Sequence, residues 1–586
     1  SAAARKPDKH LWSQKVFEMQ QKYLGPRCRI THKQHTKITE KLKEQLKTIR
    51  KVCRAERMVA EELVMKYEDD KTDDILDDSL NTDFYYCMKH ISLHCTEMMA
   101  DFAGNIIEES VSILRDQPPC EFQAVTIGSI ARAEATPYSD LEYIFLIEKD
   151  TTEAIDYFEA LALTSYFLIG NLQETKLSYM AIEELQDWFD DKAKNGFKID
   201  GLTKGAGNIP TGNGDPKLRN HFIVTPEKLA DRYEHVLLNP QDEALRGDLT
   251  AMLSYTKLLF SYKKSGRDLL AIYHDKVASL VSNEARKGMN VEMLENDLGK
   301  FTLSPMSFHE KGFNVNVKKE LYRLPSIILL DLSIVLDKMA DSSWATIDLF
   351  SSHNILAPSR AANISFCLAA AVYIRLSAYL YHDSHDDRMS IAQHNDEVQE
   401  LSRDPNHCYK RWFLSFGLFT RTCSSNLILR HSLANLQHPN YEFISVYTNP
   451  VWSKITTQFF SGRFSQALIS LKQIFGDNLC EDPVSTIGEL KILKGPTLIT
   501  DVILPTFYFS MQRKSYKLLR DYLVEKSRLR TNIHDVTCLL DVGRFDEAMD
   551  ILETQYFEDE YKASVYANML IIFGVKCDYE KSEKYL

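Results

Sequence analysis

The sequence predicts an α+β fold that is predominantly helical. A small α/β unit with a mixed sheet sits between an N-terminal helical region and a long helical remainder that ends in repeats. Three observations carry this. Helix formers with interleaved charges run almost unbroken to about residue 117. Just after Pro118-Pro119 the chain turns β-branched and glycine-punctuated. Near its end, a Gly-Arg-Phe-x-x-Ala core recurs. The 586 residues divide on these signals into 1–117, 118–235, 236–403 and 404–586.

Taken in order, "KITEKLKEQLKTIRKVCRAERMVAEELVMKYEDD" reads as a long helix, and helical spacing resumes at "FYYCMKHISLHCTEMMADF" after an acidic break. "FQAVTIGS" and "DLEYIFLIE" read as strands joined by the loop "ARAEATPYS". Asp150 and Glu153 have capping-box spacing for a helix over 150–172, and a further helix is expected over 178–194. "NGFKIDGL" reads as a third strand, followed by the glycine-rich loop 203–220. From residue 225 to about 403 the pattern is almost continuously helical, with "LPSIILLDLSIVL" and "FCLAAAVYIRLSAYL" as buried core helices, too short and too interrupted by Asp331 and Arg375 to span a membrane. "FFSGRFSQALISLKQIFG" and "LDVGRFDEAMDILETQY" resemble tetratricopeptide-type repeats, and the chain stops inside a third related segment, as a truncated array would.

The stretch Gly128–Glu148 concentrates the chemistry. Strand alternation puts Asp140, Glu142, Ile144 and Leu146 on one face of "DLEYIFLIE" and Leu141, Tyr143, Phe145 and Ile147 on the other. The two carboxylates are therefore neighbours, roughly 6–7 Å apart along the backbone. Like charges this close repel unless a cation lies between them, and a hard divalent ion that also bridges to phosphate suits the pair. Gly128-Ser129, a turn without a side chain and then a hydroxyl, suits close approach to a phosphate.

Gly128-Ser129, Arg132, Glu134, Thr136-Pro137 and Ser139-Asp140-Leu141-Glu142 together resemble the signature of the DNA polymerase β-like nucleotidyltransferase superfamily. The match is nearest the branch that holds the uridylyltransferases of the nitrogen-signalling PII protein. That branch has Arg-Gly-Glu where this chain has Arg-Ala-Glu, and Ser-Asp-x-Asp where this chain has Ser-Asp-Leu-Glu. The resemblance implies a catalytic unit over 118–235, with Asp140 and Glu142 as catalytic metal ligands for Mg2+ or Mn2+. Gly128, Ser129 and Arg132 would hold the nucleotide. It also implies a third carboxylate on a later strand, for which Asp200 is the candidate and Glu134 the runner-up. The helical region 236–403 would close on the cleft, bringing Lys318, Lys319 and Arg323 toward the triphosphate, and Lys204 is a lesser phosphate candidate.

Other motifs direct attention away from other chemistries. The glycine-rich loop lacks Gly-Lys-Ser/Thr, and neither a Gly-x-Ser-x-Gly elbow nor a His-Glu-x-x-His is present. His382 and His385 in "YHDSHDD" read as a solvated loop rather than a metal site. Eleven cysteines without a Cys-x-x-Cys fit a reducing, cytoplasmic setting. A net charge of −12 argues against general binding of long nucleic acid. The expected activity is transfer of a nucleoside monophosphate from a nucleoside triphosphate to a hydroxyl of a protein or small molecule, with the repeats recruiting a protein partner and no membrane involved. The alternatives are an inactive scaffold of the same fold and a synthase of nucleotide second messengers.

Overall fold

The computed structural model describes residues 9–69, 78–174, 196–199, 210, 222–238, 253–263, 266–281, 314–335, 340–353, 358–390 and 464–484, with isolated positions at 455, 458, 503, 506–507, 510, 512, 514–519 and 552. Helix α1 (Lys9–Leu24) leads into α2 (His32–Asp69), which packs against α3 (Asp78–Ile113). On α2, Leu42, Leu46, Ile49, Cys53, Ala60 and Val64 follow one another in steps of three, four or seven and are all buried. That is the stripe a 3.6-residue period lays on one face. Phe84, Met88, Ile91, Cys95, Met99 and Phe102 form the matching stripe on α3. α3 starts at Asp78, inside the expected acidic break and ahead of Phe84.

The mixed sheet is made of β1 (Phe122–Thr126), β2 (Tyr143–Ile147), β3 (Ile223–Val224) and β4 (Lys257–Tyr262), in the order β3-β2-β1-β4. β1 runs antiparallel to β2 and β4, and β2 runs parallel to β3. Two of these strands correct the sequence reading. β3 was not foreseen, and β4 lies in a stretch expected to be helical. "KLLFSY" suits either state by composition, and pairing with the open side of β1 decides for strand. The expected strand at "NGFKIDGL" is present, among its described residues 196–199, only as a parallel bridge from Ile199 to Leu141. α3 lies so close over β4 that a Cβ on Gly104 would stand 2.5 Å from the Leu259 carbonyl oxygen, so this crossing needs glycine.

The alternation expected for β2 holds on both faces. Leu141, Tyr143, Phe145 and Ile147 enter the large core shared with α2, α3 and α5 (Thr152–Asn171). Ile144 and Leu146 enter a second, smaller core with Val125, Ile127, Phe222 and residues of α6 (Pro226–Leu238) and α7 (Leu269–Val281). Each fully buried aliphatic or aromatic chain contributes about 1.5–3 kcal/mol, so a strand buried on both sides anchors what precedes it. Thr151, not Asp150, caps α5: its side chain accepts from the Ala154 N–H, while Asp150 pairs instead with Lys228. A threonine one residue closer to the helix wins the cap because it reaches that N–H directly.

The helical part beyond consists of β5 (Asn314–Asn316), a π-helical turn (Val317–Tyr322), α8 (Arg323–Val335), α9 (Ser343–Ser352), α10 (Pro358–His382) and β6 (Arg388–Ser390), which pairs antiparallel with β5. Within α10, Ala361–His382 is long and apolar enough to cross a membrane, longer than the sequence reading allowed. Most of it is buried in the protein, where Phe366 and Tyr373 meet Phe84 of α3. Helix α11 (Phe464–Phe475) begins at the phenylalanine of the first Gly-Arg-Phe, with Ala467, Leu471 and Phe475 buried. The helix expected over 178–194, Lys204, Asp200 and, apart from Leu552, the two later repeat segments lie outside the described residues.

Candidate active site

The site is built where β1 ends and β2 begins. Gly128 opens a four-residue helix, α4 (Gly128–Ala131), with φ +71°, a conformation that glycine alone adopts cheaply. The Ile127 N–H (3.0 Å) and the Thr126 hydroxyl (2.7 Å) both donate to the backbone carbonyl of Glu142, closing the ladder ahead of β2. The Glu142 carboxylate then lies directly over Gly128, where an added Cβ would fall 1.7 Å from Oε2. Gly128 thus clears the space that the carboxylate occupies. Gly128→Ala is expected to displace that carboxylate and cost about a hundredfold in kcat, the usual scale for an ångström-sized misplacement. Steady-state rates on protein of unchanged circular dichroism would check this.

Asp140 stands on the other side of Leu141. The Leu141 N–H donates to the Lys198 carbonyl at 2.7 Å, and Leu141 bridges to Ile199. Asp140 Oδ1 meets Nδ1 of His385 at 3.2 Å, with the two side chains 14% and 6% exposed. Burial works to raise the Asp140 pKa, but the hydrogen bond and charge of His385, with Lys198 and Lys318, outweigh it and hold the carboxyl below its ordinary value. The pKa of Lys318, on the π-helical turn, is lowered too, but by burial, which outweighs the attraction of Asp140 and Asp387 for its charge. Single π-helical turns are rare and often mark functional sites.

The loop between the strands reads as polar and turn-rich, yet it is almost wholly buried. Ala133, Glu134, Ala135, Thr136, Tyr138 and Ser139 are all inside. The Ala133 carbonyl accepts from Ser92 Oγ (2.7 Å) and Trp344 Nε1 (2.8 Å), and Ser139 Oγ accepts from the Thr136 N–H (2.9 Å). Ser139 therefore shapes the turn that delivers Asp140. Ser129 is half-buried at the start of α4. Arg132 donates through Nε to Ser326 Oγ (3.1 Å) and Glu134 Oε2 (3.3 Å), and Nη2 lies 3.4 Å from the Tyr322 hydroxyl. Burial opposes its charge, but Tyr322, Glu134 and Glu142 more than compensate and raise its pKa. Glu134, the runner-up acid, is fully buried, and its Oε2 also accepts from Ser326 (2.7 Å) and Tyr322. It is occupied in bracing α8 against the loop.

His385 is the residue that sequence reasoning missed. It comes from the supposed solvated loop, 245 positions from Asp140, and it is buried. A histidine three residues past the end of a long apolar helix is a weak local signal. His382 is more exposed and bonds to the Arg388 carbonyl. Among the described residues no three His, Cys, Asp or Glu side chains are grouped as a metal site. Two carboxylates, one of them kept ionised and the other seated over a glycine, are nevertheless a hard oxygen donor set. Magnesium commonly takes one or two protein carboxylates and completes its shell with phosphate and water, so the residues present fit such an ion.

Residues 86–172 match the family model described as "Putative nucleotidyltransferase DUF294". The match runs from the body of α3 through β1, α4, the buried loop and β2 to the end of α5, and it includes Gly128, Ser129, Arg132, Asp140 and Glu142. No curated protein matches the chain. Residues 86–172 carry a nucleotidyltransferase-type domain.

Proposed function

We propose that the chain is an active, metal-dependent nucleotidyltransferase that moves a nucleoside monophosphate from a nucleoside triphosphate to a hydroxyl of a protein or small molecule. The observation that supports this most is the Glu142 carboxylate seated over a bare Gly128, with Asp140 two residues earlier in the chain. Asp140 and Glu142 would hold Mg2+ or Mn2+, joined by Asp200. Ile199, the residue before Asp200, pairs in parallel with Leu141 and so supports that choice. When bound, the ion would neutralise the carboxylates and polarise the triphosphate.

The rest falls to this chain's own groups. Gly128 and Ser129 offer backbone N–H and hydroxyl donors to phosphate, and Arg132, locked by Glu134 and Tyr322, contributes a fixed positive field. Lys318 faces Asp140 from the helical part, so region 236–403 would close on the cleft. The acceptor hydroxyl oxygen attacks the α-phosphorus, the bond to the bridging oxygen breaks, and pyrophosphate leaves. The hydroxyl proton passes to Asp200. Region 404–586 would recruit the protein partner.

The test is incubation with each labelled nucleoside triphosphate and Mg2+ or Mn2+, resolving labelled protein from small-molecule products. Transfer from at least one triphosphate is expected, abolished by chelation and restored by excess metal. No product with any triphosphate, or product indifferent to chelation, would remove the proposal.

A further inference from the structure

The turn that follows α10 reaches back to the head of β2 and is held at several points. Asp383, in the left-handed region at φ +49°, accepts from the Tyr138 hydroxyl (2.6 Å) and from Arg54 Nη2 on α2 (2.8 Å). The Arg388 guanidinium donates twice to Asp386, at 3.0 and 2.8 Å. The Asp387 carboxylate accepts from Tyr379, while its backbone carbonyl accepts from Val317 N–H at 2.7 Å. Between these anchors, the His385 ring lies 4.8 Å from the ring of Tyr379, with Asp140 at Nδ1 and Asp387 3.9 Å from Nε2. Non-glycine residues occupy the left-handed region at a cost, and here two donors hold Asp383 in place.

The geometry points to His385 as a positioning residue for Asp140: the turn 383–387 presents Nδ1–H to Oδ1 and fixes the plane of the metal-ligating carboxylate. This rests on the nucleotidyltransferase reading above. An ionised carboxylate offers only lone pairs, so the proton of this bond is on Nδ1. Tyr138 belongs to the loop that leads into Asp140, and its bond to Asp383 ties both ends of the contact to one support on α2. With its orientation set in advance, Asp140 does not lose rotational freedom when a cation binds. Partners of this kind, one bond away from the ligand, typically govern metal affinity by ten- to a hundredfold.

The experiment measures Mn2+ binding to the full chain by electron paramagnetic resonance, alongside nucleotide transfer and melting temperature. In His385→Ala the Mn2+ dissociation constant is expected to rise about tenfold. His385→Asn, whose amide N–H takes the place of Nδ1–H, should stay within about threefold of the wild type. Wild-type or tighter Mn2+ binding in His385→Ala overturns the inference. So does a His385→Asn variant that melts like the wild type yet binds as poorly as His385→Ala. If Asp140→Ala/Glu142→Ala binds Mn2+ and transfers nucleotide as the wild type does, the nucleotidyltransferase reading itself falls and this inference with it.

Discussion

Asp140→Ala combined with Glu142→Ala is expected to lower kcat for nucleotide transfer by about a thousandfold or more, since on the function proposed above both groups would hold the metal against the triphosphate. The fold should survive. Glu142 is held through its backbone carbonyl, which the substitution leaves to Thr126 and Ile127, and both side chains stand at the open end of β2 rather than in its core. Melting within a few degrees of wild type, with transfer lost, is the expected pair of results. A double variant retaining a tenth of wild-type kcat would show that the chemistry is elsewhere.

The same carboxylate sets an acid limit. The folded pKa of Asp140 lies below its ordinary value of 3.8, so its contribution to stability is complete above that value and is lost as pH falls through the folded pKa. Across neutral and mildly acid pH the group is ionised.

Glu134→Ala should instead act on stability, by about 3–5 kcal/mol, the cost of leaving a buried charge without its partner. Oε2 of Glu134 collects Arg132, Ser326 and Tyr322, joining the buried loop between β1 and β2 to α8 and the π-helical turn. Removing it strands the Arg132 guanidinium, and Arg375, stacked 4.3 Å over the Tyr322 ring, loses the support of a fixed tyrosine. Glu134→Gln keeps one oxygen for the hydroxyl donors but gives up the charge, so it should fall between the two. Denaturant unfolding of the three proteins orders them, and a Glu134→Ala protein as stable as wild type would contradict the bracing role.

The central pair β1 and β2 was legible in advance because strand periodicity is local. The alternation of Leu141–Ile147 sorts its residues into the two cores they occupy. The Gly-Ser turn and the acidic pair could be read for the same reason: both lie within twenty residues of one another and carry their own steric and electrostatic logic. β4 was not legible, since "KLLFSY" has no preference strong enough to outweigh whatever edge it meets. Nor was the character of the loop 132–139, whose backbone at Ala133 and Ala135 is met by Ser92, Thr96 and Trp344 and whose Arg132 side chain is met by Ser326, all from helices outside the loop. "YHDSHDD" looks solvated in isolation, and within it His385 alone is buried, against Asp140 ahead of β2.

By itself, then, the sequence determined the helical weight of the chain, the two faces of β2, and the glycine that makes room for Glu142 at its head. Each follows from interactions among neighbours in the chain. Only the tertiary structure decided that His385 meets Asp140, that Arg132 is tied to Glu134 and Tyr322, and that Lys318 is half-buried near Asp140 and Asp387. These contacts join residues separated by up to 245 positions or depend on burial, and both are set by how helices and sheet pack rather than by any local pattern.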